Sequence, residues 1–522
     1  MNAFYAPLRV AAKLRAPRFP RHVVAIALLF LLFFFQLGAR DLVSSHEARA
    51  AQNAQRMLDT GEWGLPTLFD GQRDLQKPPG FYWLVAAAGA RNGGHVSPWV
   101  ARFPAALSAI LAVLLVYAFL RREGYTTGAF VAATALASAN HFVAIGRTAR
   151  IDVPLTCAVA VALVSFYRGC HPGEPRGLSP RGKEISAPAG MNPAARWYLV
   201  SAVAAGFAVL LKGPVGLALI GSTAVAFLLV ERFLVAPDAR PRLPFSSAVL
   251  GVFVVAAIAG PWFVWANDAT DGEFVRVFFW HHNVARFTGG SEALASHPWW
   301  FYGPRFALAF LPWTLALVPL ALWAVRSGAW REDRLFRFGV VWLVVMVVVL
   351  SASRFKRADY LLPAFPGAAI ALGCAAERWL SARTRPRSVE LAKWAFGAAL
   401  ACGLAVWPVM WFAVEPAEAA KQEKRPFAAA IRAHAPGRTV LLFRAESHLL
   451  AYHLGPPVHT LVEWGELRDA LSAPGPHAVV MPPEYVADAA RITGRKLVPV
   501  ATLADFTRVA PPRPLVCLRT AD

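Results

Sequence analysis

Long apolar blocks, each of about 15 to 25 residues, alternate with short polar segments along most of this chain. The blocks show neither the alternation of a half-buried strand nor the sharp periodicity of an amphipathic helix. Because a bilayer core offers backbone groups no water, such blocks are typical of transmembrane helices. The run 197–231 is too long for one crossing, and Gly213-Pro214 divides it. The pattern predicts about eleven spans, near residues 23–39, 98–120, 126–145, 152–168, 197–211, 213–231, 246–267, 298–325, 338–352, 360–378 and 392–414.

The distribution of charge adds an orientation to this pattern. Of 522 residues, 57% are hydrophobic and only 16% are charged, and the formal net charge is +21. Because the basic loops alternate with the others, the positive-inside rule places them in the cytoplasm. The basic residues therefore orient the helices, and nucleic-acid binding is not expected. The basic segments are 1–22, 121–125, 169–196, 232–245, 326–337 and 379–391.

This topology divides the chain into three parts. Residues 1–22 form a basic cytoplasmic N-terminus that leads into a retained signal anchor, and residues 23–414 form the membrane domain. In residues 415–522, outside the membrane, short strand-like runs alternate with polar helical patterns, which predicts a small α/β domain. The predicted fold class is mainly α, a polytopic transmembrane helical bundle with a small C-terminal α/β domain. The five scattered cysteines indicate neither a disulfide framework nor a metal site.

The longest polar interruption in the N-terminal half is the outer loop 40–97. Residues 47–58 have apolar positions at helical spacing and a polar face, which predicts a helix on the membrane surface with Ser45 as its N-cap. A Lys-Pro-Pro sequence then forces the chain to be extended where it enters residues 81–94. This segment is apolar but too short to span the membrane, which predicts an interfacial or re-entrant helix. An interfacial belt with ordinary solvated charges would explain the same pattern.

Several short motifs follow one another in the chain: HEAR, KPPGFYW, RTARIDVPL, LKGPVGL, HHNVARF, HPWWFYGPR and FKRADYLLPAFP. Together, over residues 25–370, they resemble the membrane glycosyltransferases of the GT-C fold, and most closely the bacterial aminoarabinose-transferase-like enzymes, which are related to protein O-mannosyltransferases. The resemblance implies transfer of a sugar from a polyprenyl-phosphate donor to a lipid, glycan or protein acceptor, with a lipid A-type acceptor favoured. The reaction would take place on the outer face of the bacterial inner membrane.

Such a transfer needs stabilisation of a phosphate leaving group and, for a hydroxyl acceptor, a base. The candidate catalytic residues on the outer side are Glu47, Asp152 and His46. The related enzymes usually begin the surface helix with an Asp-Glu pair, whereas this chain has His46-Glu47. In the family pattern that Asp is the favoured catalytic carboxylate, so its role here passes to Glu47, His46 or Asp152, or is altered. An acceptor that is already an anion would need no base. For Asp152 the alternative is a helix N-cap at the interface.

Cations in the outer loops are candidates for binding the donor phosphate. By resemblance, Tyr360 is expected near that phosphate, because it follows the basic loop 353–359. Attraction to lipid headgroups and snorkelling are the alternatives for each cation, and a place in the aromatic belt is the alternative for Tyr360. The candidate cations are Arg49, Lys77, Lys212, Arg354, Lys356 and Arg357.

A divalent metal is the one cofactor that these patterns leave open. His281 and His282 in the outer loop 268–297 could bind a metal or hydrogen-bond the donor phosphate, although adjacent residues on a helix point apart and seldom share one ion. The aminoarabinose enzymes tend to have Glu before the Lys-Pro, and this chain has Gln76, whose neutral amide is the poorer ligand.

Two other functions fit the same hydropathy. A transporter or flippase of polyprenyl-linked sugars would place its substrate-binding charges and broken helices near the bilayer midplane, whereas the charges here collect at outer helix ends. A non-catalytic membrane scaffold would explain the spans but not the KPP and YLLP segments. Enzyme is therefore the favoured hypothesis.

Overall fold

The computed structural model describes residues 21–171, 192–289, 296–383, 385–420, 424–473, 477–505 and 512–520, with side chains from residue 25 onward. The described part is mostly helical, and a five-stranded sheet lies near its C-terminal end. The helices are α1 (Arg21–Phe34), α2 (Ser45–Thr60), α3 (Gly80–Ala90), α4 (Pro98–Arg122), α5 (Thr126–Ser138), α6 (Asn140–Gly146), α7 (Asp152–Cys170), α8 (Pro193–Lys212), α9 (Pro214–Leu234), α10 (Phe245–Asp268), α11 (Arg286–Thr288), α12 (Tyr302–Ala309), α13 (Thr314–Arg326), α14 (Ala329–Glu332), α15 (Arg334–Ser351), α16 (Phe365–Ser381), α17 (Pro386–Val409), α18 (Glu415–Ala420), α19 (Arg425–His434), α20 (His448–Leu454), α21 (Trp464–Ser472) and α22 (Val486–Thr493). Two segments, Val275–Ala285 and Met410–Val414, are π-helical.

The membrane bundle matches the predicted polytopic architecture. Within the described residues, eight helical segments are long and apolar enough to cross a membrane, and two bent helix pairs raise the number to ten. The shorter apolar helix Ala25–Phe34 occupies the first predicted span and would bring the number to the predicted eleven. The eight segments are α4, α7, α8, α9, α10, α15, Ala358–Ser381 with α16, and the segment that begins with α17.

Two predicted single spans are bent in the structure. The helices α5 and α6 meet at 59°, and Trp299–Ala309 meets α13 at 109°. The second break contains Pro312, which cannot donate a backbone hydrogen bond and therefore interrupts a helix. The predicted division at Lys212 is confirmed, because Gly213 adopts φ +78° between α8 and α9.

The outer loop folds as two short helices. Ser44, rather than the predicted Ser45, caps α2, and its side chain accepts a hydrogen bond from the Glu47 amide at 3.3 Å. The helix ends at Gly61, which has φ +74°. Phe81 and Tyr82 on α3 are buried against the alanine-rich face of α2. Helix α3 therefore packs on α2, and its 11 residues are too few to cross a membrane.

The C-terminal part is the predicted small α/β domain. Its strands are β1 (Val440–Phe443), β2 (Val458–Leu461), β3 (Ala478–Met481), β4 (Leu497–Leu503) and β5 (Leu515–Thr520). The strand order is β2-β1-β3-β5-β4, with the first three parallel and the last two joined by antiparallel pairing. Helix α20, which sequence patterning missed, packs against α2.

Several polar contacts fix this domain on the outer loop. The Gln52 side chain donates to the His448 carbonyl at 2.8 Å, and the Tyr452 hydroxyl donates to the Val96 carbonyl at 2.9 Å. His453 also contacts the Asp41 carboxylate at 2.7 Å. The domain thus covers the side of the outer loop that carries α2.

Candidate functional site

The first wall of the site is formed by α2 and the loop that follows it. Arg49 forms an ion pair with buried Asp74 and donates to the Gln76 side chain at 2.7 Å. Asn53 and Tyr82 also donate to Asp74, at 2.9 and 3.3 Å. Because its oxygens accept from three side chains, Asp74 holds Arg49 in place and keeps its guanidinium directed at the site.

The second wall joins the N-terminus of α7 to the C-terminus of α8. Asp152 begins α7, and its carboxylate accepts from the Lys212 ammonium at 2.6 Å. The same ammonium lies 3.9 Å from the centre of the Tyr360 ring. Lys212 is the last residue before the helix break at Gly213, so the break places its side chain at the site rather than inside the bundle. The structure therefore brings together three residues that the sequence analysis selected.

The third wall is built around Asp359, which sequence reasoning missed. Its carboxylate pairs with Arg150, lies 3.3 Å from His141 and is 3.3 Å from Arg357. Arg286, also missed, comes from the segment after the π-helix. Both residues lie inside motifs that carried the family resemblance. Asp359 belongs to FKRADYLLPAFP and Arg286 to HHNVARF. Their place in these motifs was the sequence signal that could have identified both residues as candidates.

These walls enclose two adjoining cavities. The polar one, about 140 Å³, lies between α2, the start of α7 and Asp359. The second, about 480 Å³, is mostly apolar and extends between α9, the π-helix and α15. The residues that line both are Gln76, Lys77, Lys212, Arg286, Phe355 and Tyr360. The three cations among them, Lys77, Lys212 and Arg286, form a cationic wall at the boundary between the apolar cavity and the polar cavity.

Electrostatics in the polar cavity disfavour additional positive charge. Burial, together with the positive charges of Lys77, Arg150 and Arg357, lowers the pKa of His46 to about 3. Burial lowers the pKa of Lys77 to about 8, because the effect of the neighbouring Lys212 charge adds to that of burial and the Asp152 charge only partly offsets it. At neutral pH, His46 is therefore a neutral imidazole, whereas Lys77 remains largely protonated.

Glu47, which the sequence analysis selected as a candidate catalytic carboxylate, lies outside both cavities. One oxygen accepts from the Arg102 side chain at 2.8 Å and from the Ala149 amide at 3.0 Å, and the other accepts from the Val43 amide at 2.9 Å. Although burial opposes its ionisation, Arg102 lowers the pKa of Glu47 to about 2. Glu47 and Arg102, both fully buried, therefore fix α2 relative to the loop that carries Arg150.

Two predicted phosphate-binding cations, Arg354 and Lys356, line neither of these two cavities. The Lys356 ammonium donates to the carbonyls of His297, at 3.0 Å, and Ser353, and only 3% of the residue is exposed. The backbone of Arg354 pairs with Phe287 and His297, and neither Arg354 nor Lys356 lines a cavity. The Lys356 ammonium and the Arg354 backbone therefore hold the outer loop together. Arg357 does line the polar cavity.

The two candidate metal ligands, His281 and His282, differ in position. His282 lines the apolar cavity, where burial and the charge of Arg286 lower its pKa to about 4. His281 lines neither cavity. Within the described residues, no group of three His, Cys, Asp or Glu side chains has the spacing to hold a metal ion. The arrangement in these residues is suited to binding an anion through nitrogen donors.

Comparison with known proteins places this site in a family. The model of the dolichyl-phosphate-mannose-protein mannosyltransferase family matches residues 21–318, more than half of the chain. The chain belongs to this family. Its fold is therefore the GT-C fold, as the motif resemblance implied, and it is a multi-pass membrane protein.

Curated relatives in the family include two from Pseudomonas, each named as an undecaprenyl phosphate-α-4-amino-4-deoxy-L-arabinose arabinosyl transferase. The protein from P. fluorescens (strain Pf0-1) is 28% identical over 69% of this chain and 59% of its own length. The protein from P. aeruginosa (strain PAO1) is 30% identical over 66% of this chain and 57% of its own length. The chain thus spans less than two thirds of the length of these relatives.

Solved structures support the same fold. The crystal structure of ArnT from Cupriavidus metallidurans bound to undecaprenyl phosphate superposes with a TM-score of 0.72 at 22% identity, covering 95% of this chain and 98% of that one. The apo oligosaccharyltransferase of Archaeoglobus fulgidus gives a TM-score of 0.52 at 14% identity, covering 83% of this chain and 63% of that one. At these identities the likeness defines the architecture alone.

Proposed function

We propose that this protein is a membrane glycosyltransferase that transfers a sugar from a polyprenyl-phosphate donor to a lipid, glycan or protein acceptor, with a lipid A-type acceptor as the first to test. The curated relatives are named for transfer from undecaprenyl phosphate, and the solved ArnT binds that lipid. The chain's membership of a family of polyprenyl-dependent transferases supports the same class of donor.

One observation carries this proposal: the cationic wall lies at the boundary between an apolar cavity of about 480 Å³ and an adjoining polar cavity of about 140 Å³. A sugar–phosphate–lipid molecule has the same order of parts, with a phosphate between an apolar chain and a polar ring. The lipid occupies the apolar cavity, the phosphate contacts Lys77, Lys212 and Arg286, and the sugar lies in the polar cavity.

The chemistry of the transfer follows from this placement. An acceptor oxygen attacks the anomeric carbon, the bond from that carbon to the phosphate oxygen breaks, and the electron pair leaves with the polyprenyl phosphate. The leaving phosphate gains one negative charge, and preorganised cations stabilise that charge as it develops. Lys212 is held for this purpose by Asp152 and by the Tyr360 ring.

Asp152 is the carboxylate that we assign to the acceptor. It lines the polar cavity, whereas Glu47 does not. A hydroxyl acceptor delivers its proton to Asp152, and an acceptor that is already an anion needs no base. His46 contributes as a neutral hydrogen-bonding group, because burial and the neighbouring cations lower its pKa to about 3 and leave the imidazole uncharged at neutral pH.

The orientation in the membrane is part of the proposal. The basic loops favour an N-terminus in the cytoplasm, with the cavity, the outer loop and the C-terminal α/β domain on the periplasmic side of a bacterial inner membrane. The three-part division at residues 22 and 414 follows from this topology, although the helix that begins as α17 continues to Ala420. The α/β domain then faces the acceptor side.

The test is mass spectrometry of lipid A, lipid-linked glycans and envelope proteins from cells with and without the protein, complemented by wild type or by Asp152→Asn. A glycosyl mass shift in one fraction that depends on Asp152 supports the proposal and identifies the acceptor. No shift in any fraction, with polyprenyl-phosphate sugar accumulating on the inner leaflet when the protein is absent, supports a transporter instead.

A further inference from the structure

The polar cavity is strongly cationic. The side chains that line it include Arg49, Lys77, Arg150, Lys212, Arg286 and Arg357. In the described part of the chain, the lining carboxylates are Asp152 and Asp359, and Asp74 stands behind Arg49. Six cations thus face three carboxylates. A sugar–phosphate diester brings one negative charge, which leaves the occupied cavity still positive.

Each of these carboxylates already has a basic partner. Asp74 pairs with Arg49, Asp152 lies 2.6 Å from Lys212, and Asp359 pairs with Arg150. A positively charged group on the sugar would have to compete with a lysine or arginine for one of these carboxylates. That competition would leave the displaced cation without its partner in a partly buried site, which is unfavourable.

Gln76 is where a carboxylate would relieve this imbalance. It lines both cavities, and its side-chain oxygen accepts from Arg49 at 2.7 Å. The amide is neutral, and its oxygen, which already accepts from the positively charged Arg49, has one lone pair left, so that the NH₂ group is its main free contribution to a bound sugar. An NH₂ group binds a hydroxyl or a carboxylate and cannot pair with an ammonium.

We propose, on the basis of the function proposed above, that the donor sugar of this protein carries no positive charge and is a neutral or anionic sugar rather than an aminosugar. The electrostatics of the site agree, since burial, reinforced by the charges of Lys77, Arg150 and Arg357, lowers the pKa of His46 to about 3. The same field opposes an ammonium on a bound sugar, because it disfavours any added positive charge. This sugar class distinguishes the chain from the relatives that are named for a 4-amino-4-deoxypentose.

The experiment uses the full chain in nanodiscs and two synthetic undecaprenyl-phosphate donors that share one pentose and differ only at C4, where one carries a hydroxyl and the other an amino group. Each donor competes with radiolabelled undecaprenyl phosphate at pH 7. The amino donor is expected to bind about 10-fold or more weakly, the scale of one like-charge contact in a partly screened site.

A matched pair of variants locates the effect. Gln76→Glu adds a carboxylate inside the cavity and is expected to reduce the discrimination against the amino donor by about 5-fold or more. Gln72→Glu makes the same change of charge on an exposed residue of the same loop, and it should leave the discrimination unchanged.

The outcomes separate this inference from the proposed function. Equal or tighter binding of the amino donor overturns the inference and leaves a polyprenyl-dependent transferase intact. Equal responses to Gln76→Glu and Gln72→Glu also overturn it, because the discrimination would then not arise in this cavity. Failure of undecaprenyl phosphate itself to bind overturns the proposed function and the inference with it.

Discussion

Two clusters of buried charge lie near opposite ends of α9, separated by about 25 Å at 1.5 Å per helical residue. At the end away from the cavities, Glu231 is fully buried and accepts from Arg337 at 2.6 and 2.9 Å and from Arg334 at 3.1 Å. Two further donors of Arg337 are used by the backbone carbonyls of Trp330 and Arg331. At the other end, Lys212 and Asp152 face the polar cavity.

The difference between the two clusters is their accessibility to a ligand. In the Glu231 cluster the arginines donate to protein groups, and the cluster lines neither cavity. The cluster at Asp152 surrounds a cavity whose lining has more cations than carboxylates. Buried charges near the ends of membrane helices are therefore insufficient to identify a functional site. The identification here depends on a cavity and an excess of one charge at the same place.

The largest expected effect is on stability at the Glu231 cluster. Glu231→Gln leaves two arginines beside a neutral amide, which should lower the free energy of unfolding by about 3–5 kcal/mol, the usual cost of breaking a buried ion pair. Thermal unfolding in detergent would measure this loss. Turnover per folded molecule should stay within a few-fold of wild type, and a large loss of turnover would mean that the cluster is coupled to the site.

At the cavity the same kind of substitution should act on turnover. Asp152→Asn removes the carboxylate that holds Lys212 and serves the acceptor, so the rate should fall by about 100-fold or more, the scale typical of an acid–base group. A transfer assay with purified protein, alongside size-exclusion chromatography to verify folding, would measure it. Turnover within a few-fold of wild type would remove Asp152 from the site.

A smaller effect is expected from the pH dependence of phosphate binding. Because the pKa of Lys77 is lowered to about 8, its positive charge is present below pH 8 and is lost as the pH rises through that value. The affinity for undecaprenyl phosphate should therefore fall by up to about 10-fold between pH 7 and pH 9.5. In Lys77→Arg the charge persists, and the fall should disappear. The same fall in both proteins would show that another group titrates.

The smallest effect is expected where the α/β domain contacts the outer loop. Burial alone would raise the pKa of Asp41, but the hydrogen bond and charge of His453, the Leu42 amide and Arg425 together outweigh this effect, and the pKa is lowered. His453→Ala should weaken docking by about 1 kcal/mol, because the pair is partly exposed. Limited proteolysis between α18 and α19 would detect the looser domain, with His459→Ala, an exposed histidine on β2, as the control. Equal cleavage rates would show that the pair is dispensable.

Helix and strand patterning carried much of the fold. The apolar blocks located the spans, and the strand-like runs after residue 415 predicted the small α/β domain. The bends were missed because hydropathy depends on composition and carries no direction. Helix α20 was missed because it has only seven residues, fewer than two full turns, which leaves little periodicity to detect.

The sequence by itself determined where the charged residues stand along the chain, since length and apolarity place each helix end at the membrane boundary. It could not determine which carboxylate faces the cavity. Adjacent residues on a helix point about 100° apart, so His46 lines the cavity while Glu47 turns away to Arg102, which lies on α4. Only the tertiary structure brings Asp152, Lys212 and Asp359 together, because their pairing depends on how α7, α8 and the segment before α16 pack.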